Sequence, residues 1–289
     1  MHEFSLDFLR CVGCASKLEA DVLCQDKEIT EGMLECKRCG LNFPIIDAVP
    51  IIWDDFSKYL SSRIILGGKL YRLASTGKMK KFVKDSISKT VRGDDQTALE
   101  KRWSGIYQQS RNSKFYAVIK SKLRQIPPSE LAVEYGCSIG LMSDFLARHH
   151  KTVFGIDKSY SAIQLAKKSP KKNLDFVVAD SISPLFGDQK FDVVLALNVL
   201  ELIEPLDLLE HTSKQISRGY LVISDPYDFD RGKNSVKKPF DEKSLRKSLC
   251  DLGFSISNKT QKPSYIPWTL NLNSRCTLNY KVDLVVAKK

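Results

Sequence analysis

Nowhere in the 289 residues is there an apolar run approaching the ~18 positions that a membrane-spanning helix needs. The opening stretch, MHEFSLDFLRCVGC, lacks the basic start, apolar core and small-residue cleavage site of a secretory leader. These two absences predict a cytoplasmic protein with no transmembrane segment. They also predict that its eight cysteines are thiols or metal ligands, since disulfides belong to oxidising compartments. No internal repeat and no RNA-binding aromatic motif is visible. With 43% hydrophobic and 27% charged residues, the composition excludes a mostly disordered or low-complexity chain. The length fits one large domain and one small one.

Acidic residues are scarce in one place. Residues 58–124 hold 17 basic and 4 acidic residues, a net of +13, whereas residues 1–57 carry −6 and residues 125–289 carry +4. The middle segment therefore supplies the whole formal excess of +11. Such a stretch can attract phosphate or an anionic membrane, or it can be the solvated face of covering helices. Met79, Phe82, Val83, Ile87 and Val91 recur at three- and four-residue steps, the spacing of one helix face. This regularity favours a cover with Lys78, Lys80, Lys81 and Lys84 solvated, and Gly67-Gly68 and Gly77 are expected to break the region into short pieces.

Four cysteines form two knuckles, Cys11-x-x-Cys14 and Cys36-x-x-Cys39. Each tight turn sets two thiolates on one side, and two facing turns make a four-sulfur cage suited to zinc. Gly13 and Gly40 are expected to supply the unusual backbone angles, and a β-hairpin to span the residues between the knuckles. The remaining cysteines, Cys24, Cys137, Cys250 and Cys276, are expected to be packed, and His149-His150 to be solvated.

From Leu131 the pattern changes to LAVEYG, TVFGID, LDFVVAD, FDVVLAL and GYLVISD, short apolar runs separated by helical stretches. These read as buried parallel strands of an α/β sheet. After the first comes Gly136-Cys137-Ser138-Ile139-Gly140, one residue shorter than the dinucleotide fingerprint G-x-G-x-x-G. It suits a nucleoside without a pyrophosphate. Glu134 precedes the turn, where a carboxylate can face a cationic ligand, and Asp157-Lys158 ends the second strand, where Asp157 can accept both ribose hydroxyls. Asp180-Ser181 ends the third strand and can hold an adenine amino group, and Asn198 ends the fourth. These polar sites fall at the carboxyl ends of successive strands, where open α/β sheets bind ligands.

The cysteine pairs, together with Gly40, Phe43-Pro44-Ile45, Asp47-Ala48 and Val49-Pro50, resemble the zinc-ribbon-like activator subunits of tRNA and translation-factor methyltransferases over residues 6–53. That resemblance implies a module that binds and stabilises a methyltransferase and performs no chemistry, here fused to its client. The ordered set Glu134, Gly136, Gly140, Asp157 and Asp180 resembles the class I S-adenosylmethionine-dependent methyltransferases over residues 103–289, with Ser138 in place of a family glycine. The resemblance implies that Asp157 binds ribose, that Asp180 and Ser181 border adenine, and that the Gly136–Gly140 loop contacts the methionine moiety. It further implies a final antiparallel strand, giving seven. The expected architecture is α/β: a Rossmann-like seven-stranded methyltransferase sheet with a small N-terminal zinc-ribbon-like domain. Its parts are a ribbon at 1–57, a basic helical linker at 58–102 and a methyltransferase domain at 103–289.

Transfer from an activated sulfonium asks the protein mainly to align the acceptor and to take a proton. Asp225 and Tyr227, in Asp225-Pro226-Tyr227, are the catalytic candidates; a turn stabilised by Asp and Pro is the other reading. Tyr107 and Arg111 can reach the cofactor carboxylate, and the loop carrying Tyr265 and Trp268 can roof the pocket or pack in the core. Three functions follow: a methyltransferase for a small-molecule acceptor such as an amine, an RNA or protein methyltransferase docking through the ribbon and basic segment, or a non-catalytic scaffold. The first is preferred.

Overall fold

A computed structural model of the chain describes residues 1–91, 93–230 and 236–289. The N-terminal region forms an antiparallel meander, β1 (Glu19–Gln25), β2 (Ile29–Glu35), β3 (Asn42–Ile46) and β4 (Val49–Ile52). The β1–β2 hairpin is the expected spacer between the knuckles. Four helices follow: α1 (Phe56–Ser61), α2 (Ile64–Leu73), α3 (Gly77–Ser88) and α4 (Thr97–Gln109). Then come α5 (Lys114–Leu123), β5 (Leu131–Tyr135), α6 (Leu141–Leu146), β6 (Thr152–Asp157), α7 (Tyr160–Ala166), β7 (Leu174–Ala179), β8 (Val193–Leu197), α8 (Pro205–Lys214) and β9 (Tyr220–Asp225). The chain ends in α9 (Glu242–Asp251), β10 (Ser255–Ile256), β11 (Ile266–Asn273) and β12 (Cys276–Lys288). Every apolar run predicted as a strand is one. The region from Leu131 supplies seven strands of the expected kind, β5 to β10 and β12, with β12 antiparallel to β9. Among the described residues no helix is long and apolar enough to cross a membrane.

Two compact units emerge: Met1–Ser104 with Ile156–Gln189, and Gly105–Gly155 with Lys190–Lys289. In the first, β4 pairs in parallel with β7, Ile51 opposite Val178 and Ile52 opposite Ala179, so the N-terminal meander continues onto a strand lying far along the sequence. Buried polar contacts reinforce the pairing. Asp175, inside β7 and fully buried, accepts from the His2 backbone amide at 2.8 Å, Ser5 Oγ at 2.7 Å and Lys167 Nζ at 3.1 Å. Lys167 also reaches Glu28 at 2.8 Å. Buried Glu31 on β2 accepts from the Ser75 and Thr76 amides and the Thr76 hydroxyl, fixing the turn between α2 and α3. Thr76 also caps α3 by accepting from Met79 N, which orients the buried face of Met79 and Val83.

In the second unit β5, β8 and β9 are parallel neighbours, and β5 and β8 are buried along their whole length, the mark of strands covered on both faces. β12 follows β9, with β10 and β11 paired to it.

The structure corrects several expectations. Gly67-Gly68 lies within α2; Ile87 of α3 would sit 3.0 Å from a Cβ at Gly67, so that glycine serves close helix packing. Helix α3 stops at Ser88, leaving Val91 exposed beyond the apolar face. Cys250 and Cys276 are exposed rather than packed, and Cys24 is half-buried. His150 is buried, its Nδ1 2.7 Å from Ser129 Oγ, and burial lowers its pKa. The segment around Trp268 is strand β11, which places Trp268 in the core and Tyr265 in solvent.

Candidate functional site

The cysteine cluster lies in the first unit. The sulfurs of Cys11, Cys14, Cys36 and Cys39 all lie within 4.8 Å of one another, with Cys11–Cys39 and Cys14–Cys36 each at 3.4 Å. A zinc tetrahedron with ~2.3 Å bonds has sulfur–sulfur edges of about 3.8 Å, so the donor set fits. The two turns are built alike: Ala15 N donates to Cys11 O at 2.7 Å, and Gly40 N to Cys36 O at 2.8 Å. The left-handed residue follows the second cysteine in each, Ala15 at φ 56° and Gly40 at φ 74°. Gly13 is therefore not the strained position. A Cβ there would meet Leu41 at 2.7 Å, so it is small for packing.

The same unit holds Asp157 and Asp180. Asp157, half-buried at the end of β6, accepts from Ser159 N at 2.8 Å, which fixes its carboxylate at the start of α7. The carbonyl of exposed Lys158 accepts from the buried Tyr59 hydroxyl at 2.9 Å. Asp180 follows β7 and accepts from Ile182 N at 3.1 Å, with buried Ser181 beside it.

The second unit places the remaining candidates at the carboxyl ends of β5, β8 and β9, except Tyr107, which lies on α4. Glu134 is buried on β5 and accepts from Ser143 Oγ of α6. The turn after it has Gly136, Ser138 and Gly140 all at positive φ, 68°, 48° and 71°. Asn198 follows β8 at φ 55°, its amide donating to Ser224 O at 2.7 Å and its Oδ1 accepting from Ser224 Oγ at 2.9 Å. Tyr227 follows β9, also at φ 55°. Left-handed non-glycine residues cost energy and collect where function demands a shape; here three of them, Ser138, Asn198 and Tyr227, stand at the ends of three adjacent strands.

Asp225 is fully buried, with Oδ2 accepting from Leu200 N at 3.0 Å and Oδ1 from Tyr227 N at 2.7 Å. It thereby ties the β8 and β9 ends together. The Tyr227 hydroxyl donates to Asp283 at 2.9 Å, and Asp283 accepts from both Arg246 guanidinium nitrogens at 2.6 and 3.1 Å. Burial pushes the Tyr227 phenol up; it works against the Asp283 carboxyl, but Arg246 and the surrounding donors win and hold that carboxyl below its usual range. Tyr107 stacks on Trp268 with centroids 5.9 Å apart, and Arg111 is exposed. Sequence reasoning missed the positive φ at Asn198 and the Tyr227–Asp283–Arg246 network, whose members lie far apart in the chain.

Gly136 is closely hemmed in as well as left-handed, because a Cβ there would sit 2.3 Å from Val199 Cγ1. Gly136→Ala is expected to cost at least the ~1–2 kcal/mol of a left-handed alanine and to push Val199, beside Asn198, out of place. Chemical denaturation checks this, with Val199→Ala in the same chain restoring part of the loss.

This arrangement defines an α/β sheet of the Rossmann-like methyltransferase fold with a small four-cysteine module at the N-terminus. Residues 133–223 match the family described as a methyltransferase domain, and residues 3–47 match the family described as Trm112p-like. Curated relatives include the ubiquinone biosynthesis O-methyltransferases of Pelagibacter ubique, 34% identical over 91 residues, and of Brucella ovis, 33% identical over 94 residues. These alignments cover 30% and 31% of this chain and span 38% of each relative's length. Among solved structures, a chain from the complex between the Haloferax volcanii Trm112 methyltransferase activator and its methyltransferase superimposes with a TM-score of 0.52 at 16% identity, covering 65% of this chain and 96% of that one. That likeness is one of fold.

Proposed function

We propose that the chain is a cytoplasmic S-adenosylmethionine-dependent methyltransferase for a small-molecule acceptor, with its Trm112p-like module built in and holding zinc. The observation that carries the reading is the glycine turn of residues 136–140 with its left-handed companions Asn198 and Tyr227, within the residues that match a methyltransferase domain. S-adenosylmethionine supplies a sulfonium methyl group open to direct displacement. Glu134 and the Gly136–Gly140 turn take its methionine part, with Tyr107 toward the carboxylate. Asp157 takes the ribose hydroxyls with Lys158 beside it, and Asp180 and Ser181 border the adenine. Asn198 shapes the floor at the end of β8. Asp225 and Tyr227 stand on the acceptor side. Asp225 is spoken for by two backbone amides, so it acts by holding the β8 and β9 ends in register, while Tyr227 lines the acceptor's approach. Alignment, more than proton abstraction, is then the protein's contribution.

The small-molecule reading is supported by relatives named for ubiquinone biosynthesis, although the chain spans under two-fifths of their length. An RNA or protein acceptor is the second reading, favoured by the net +13 of residues 58–124.

Asp157→Ala is expected to weaken S-adenosylmethionine binding about ten- to a hundred-fold, because a hydrogen bond to a charged group is worth ~1.5–3 kcal/mol. Isothermal titration checks this. An unchanged dissociation constant in a folded variant overturns the assignment, and absence of binding by the wild type leaves the scaffold reading.

A further inference from the structure

Within the first unit, the junction of α1, α2, α3 and α4 presents aliphatic side chains to water. Ile65 is 62% exposed, Val91 77% and Leu99 54%. They are brought to one corner by hydrogen bonds from their own neighbourhood. Val91 N donates to Ser61 Oγ at 3.1 Å, Ile65 N to Asp95 Oδ2 at 2.8 Å and Gln96 N to Ser62 O at 2.9 Å. One turn on, Arg63 pairs with Glu100 at 2.7 Å, beside Leu99. Exposed Lys89 stands two residues from Val91, and exposed Lys101 and Arg102 follow Leu99 on α4.

Of the acids in this stretch, Asp95 is bound by backbone amides and Glu100 is spent on Arg63, leaving Asp85 and Asp94 as exposed carboxylates. The whole stretch 58–104 holds 12 basic and 4 acidic residues. Isolated exposed leucines need no explanation, but aliphatic side chains gathered at one corner, on segments that also carry exposed cations, form a recognisable class. A nucleic acid would use the cations and leave the aliphatic groups in water. An anionic bilayer uses both, cations at the headgroups and aliphatic side chains below them.

We propose that the corner formed by Ile65, Val91 and Leu99, with Lys89, Lys101 and Arg102, docks the protein on an anionic lipid surface. The attachment is peripheral and reversible, and it goes beyond the methyl-transfer reading because it needs neither cofactor nor acceptor.

The test is co-sedimentation of the full chain with vesicles of phosphatidylcholine alone and with about 30% phosphatidylglycerol, whose surface attraction is worth ~1 kcal/mol per cation. Wild type is expected to bind only the anionic vesicles and to be released by salt. Lys89→Gln, Lys101→Gln and Arg102→Gln together are expected to weaken binding about 100-fold, at roughly fivefold per cation. Ile65→Ser, Val91→Ser and Leu99→Ser together should weaken it at least about tenfold, since these side chains contribute through apolar burial. Both triple variants change exposed positions, and wild-type melting verifies their fold. No binding to anionic vesicles, retention of binding in the serine variant, tighter binding to bulk RNA than to vesicles, or a concentration-dependent dimer lost in the serine variant would each overturn the proposal.

Discussion

Purified protein is expected to carry about one zinc per chain, and the double variant Cys36→Ser, Cys39→Ser to lose both the metal and the ordered N-terminal meander. Structural zinc contributes ~10–16 kcal/mol of apparent folding free energy, and here it would bind thiols already gathered within 4.8 Å. The meander is four short strands with a small core of its own, so little else compensates for the loss. The consequence reaches further than the cluster, because β4 of that meander pairs with β7. Elemental analysis reads the zinc, and limited proteolysis reads the meander. A double variant with wild-type melting and wild-type protease resistance, or a wild-type protein that carries iron or no metal, refutes the metal site.

Lys167→Met is the second large effect. It leaves Asp175 fully buried without its cation and removes a partner from Glu28. Breaking a buried pair from one side costs ~3–5 kcal/mol, or a fall in the urea midpoint of about 1–2 M for a domain of this size. Burial alone would raise the Asp175 carboxyl and lower the Lys167 amine; their mutual attraction reverses both directions, helped at Asp175 by the Ser5 and His2 donors and at Lys167 by Glu28. Asp175 is therefore held below its usual value, and its stabilisation is complete above the unfolded carboxyl pKa of ~4 and fades as pH falls through the lower folded value. Lys167 is held above its usual value. Its part is complete below ~10.4 and fades as pH rises through the higher folded value. Adding Asp175→Asn to Lys167→Met should cost less than the two single changes summed, because they share one interaction. An unmoved midpoint in Lys167→Met would show that the buried pair contributes nothing.

The strands β5 to β9 were legible because each is a short, nearly unbroken apolar run, which only a doubly covered strand explains. The metal cluster was legible because two cysteine spacings repeat. Strand β11 was not, since Ile266–Asn273 alternates outward Pro267, Thr269 and Asn271 with inward Ile266, Trp268 and Leu270, and its proline and two asparagines read as a loop. The left-handed residues were legible only where glycine marked them, at Gly40, Gly136 and Gly140. At Ala15, Asn198 and Tyr227 the same backbone shape is imposed by surroundings that the local sequence does not carry. Tyr227 shows the limit most plainly. Its neighbours Asp225 and Pro226 describe a turn, but the partner of its hydroxyl, Asp283, lies on β12 and is itself held by Arg246 of α9.

The parallel pairing of β4 with β7 also sets a timetable for synthesis. Ile51 must wait for Val178, about 130 residues later, which at ~5–20 residues per second is a delay of roughly 6–25 s. Throughout that interval the meander has left the ribosome with one edge open, the kind of edge that recruits foreign strands. Metal capture by the cysteines needs only the first 39 residues, so it can precede strand pairing and hold the open-edged meander in shape until β7 arrives.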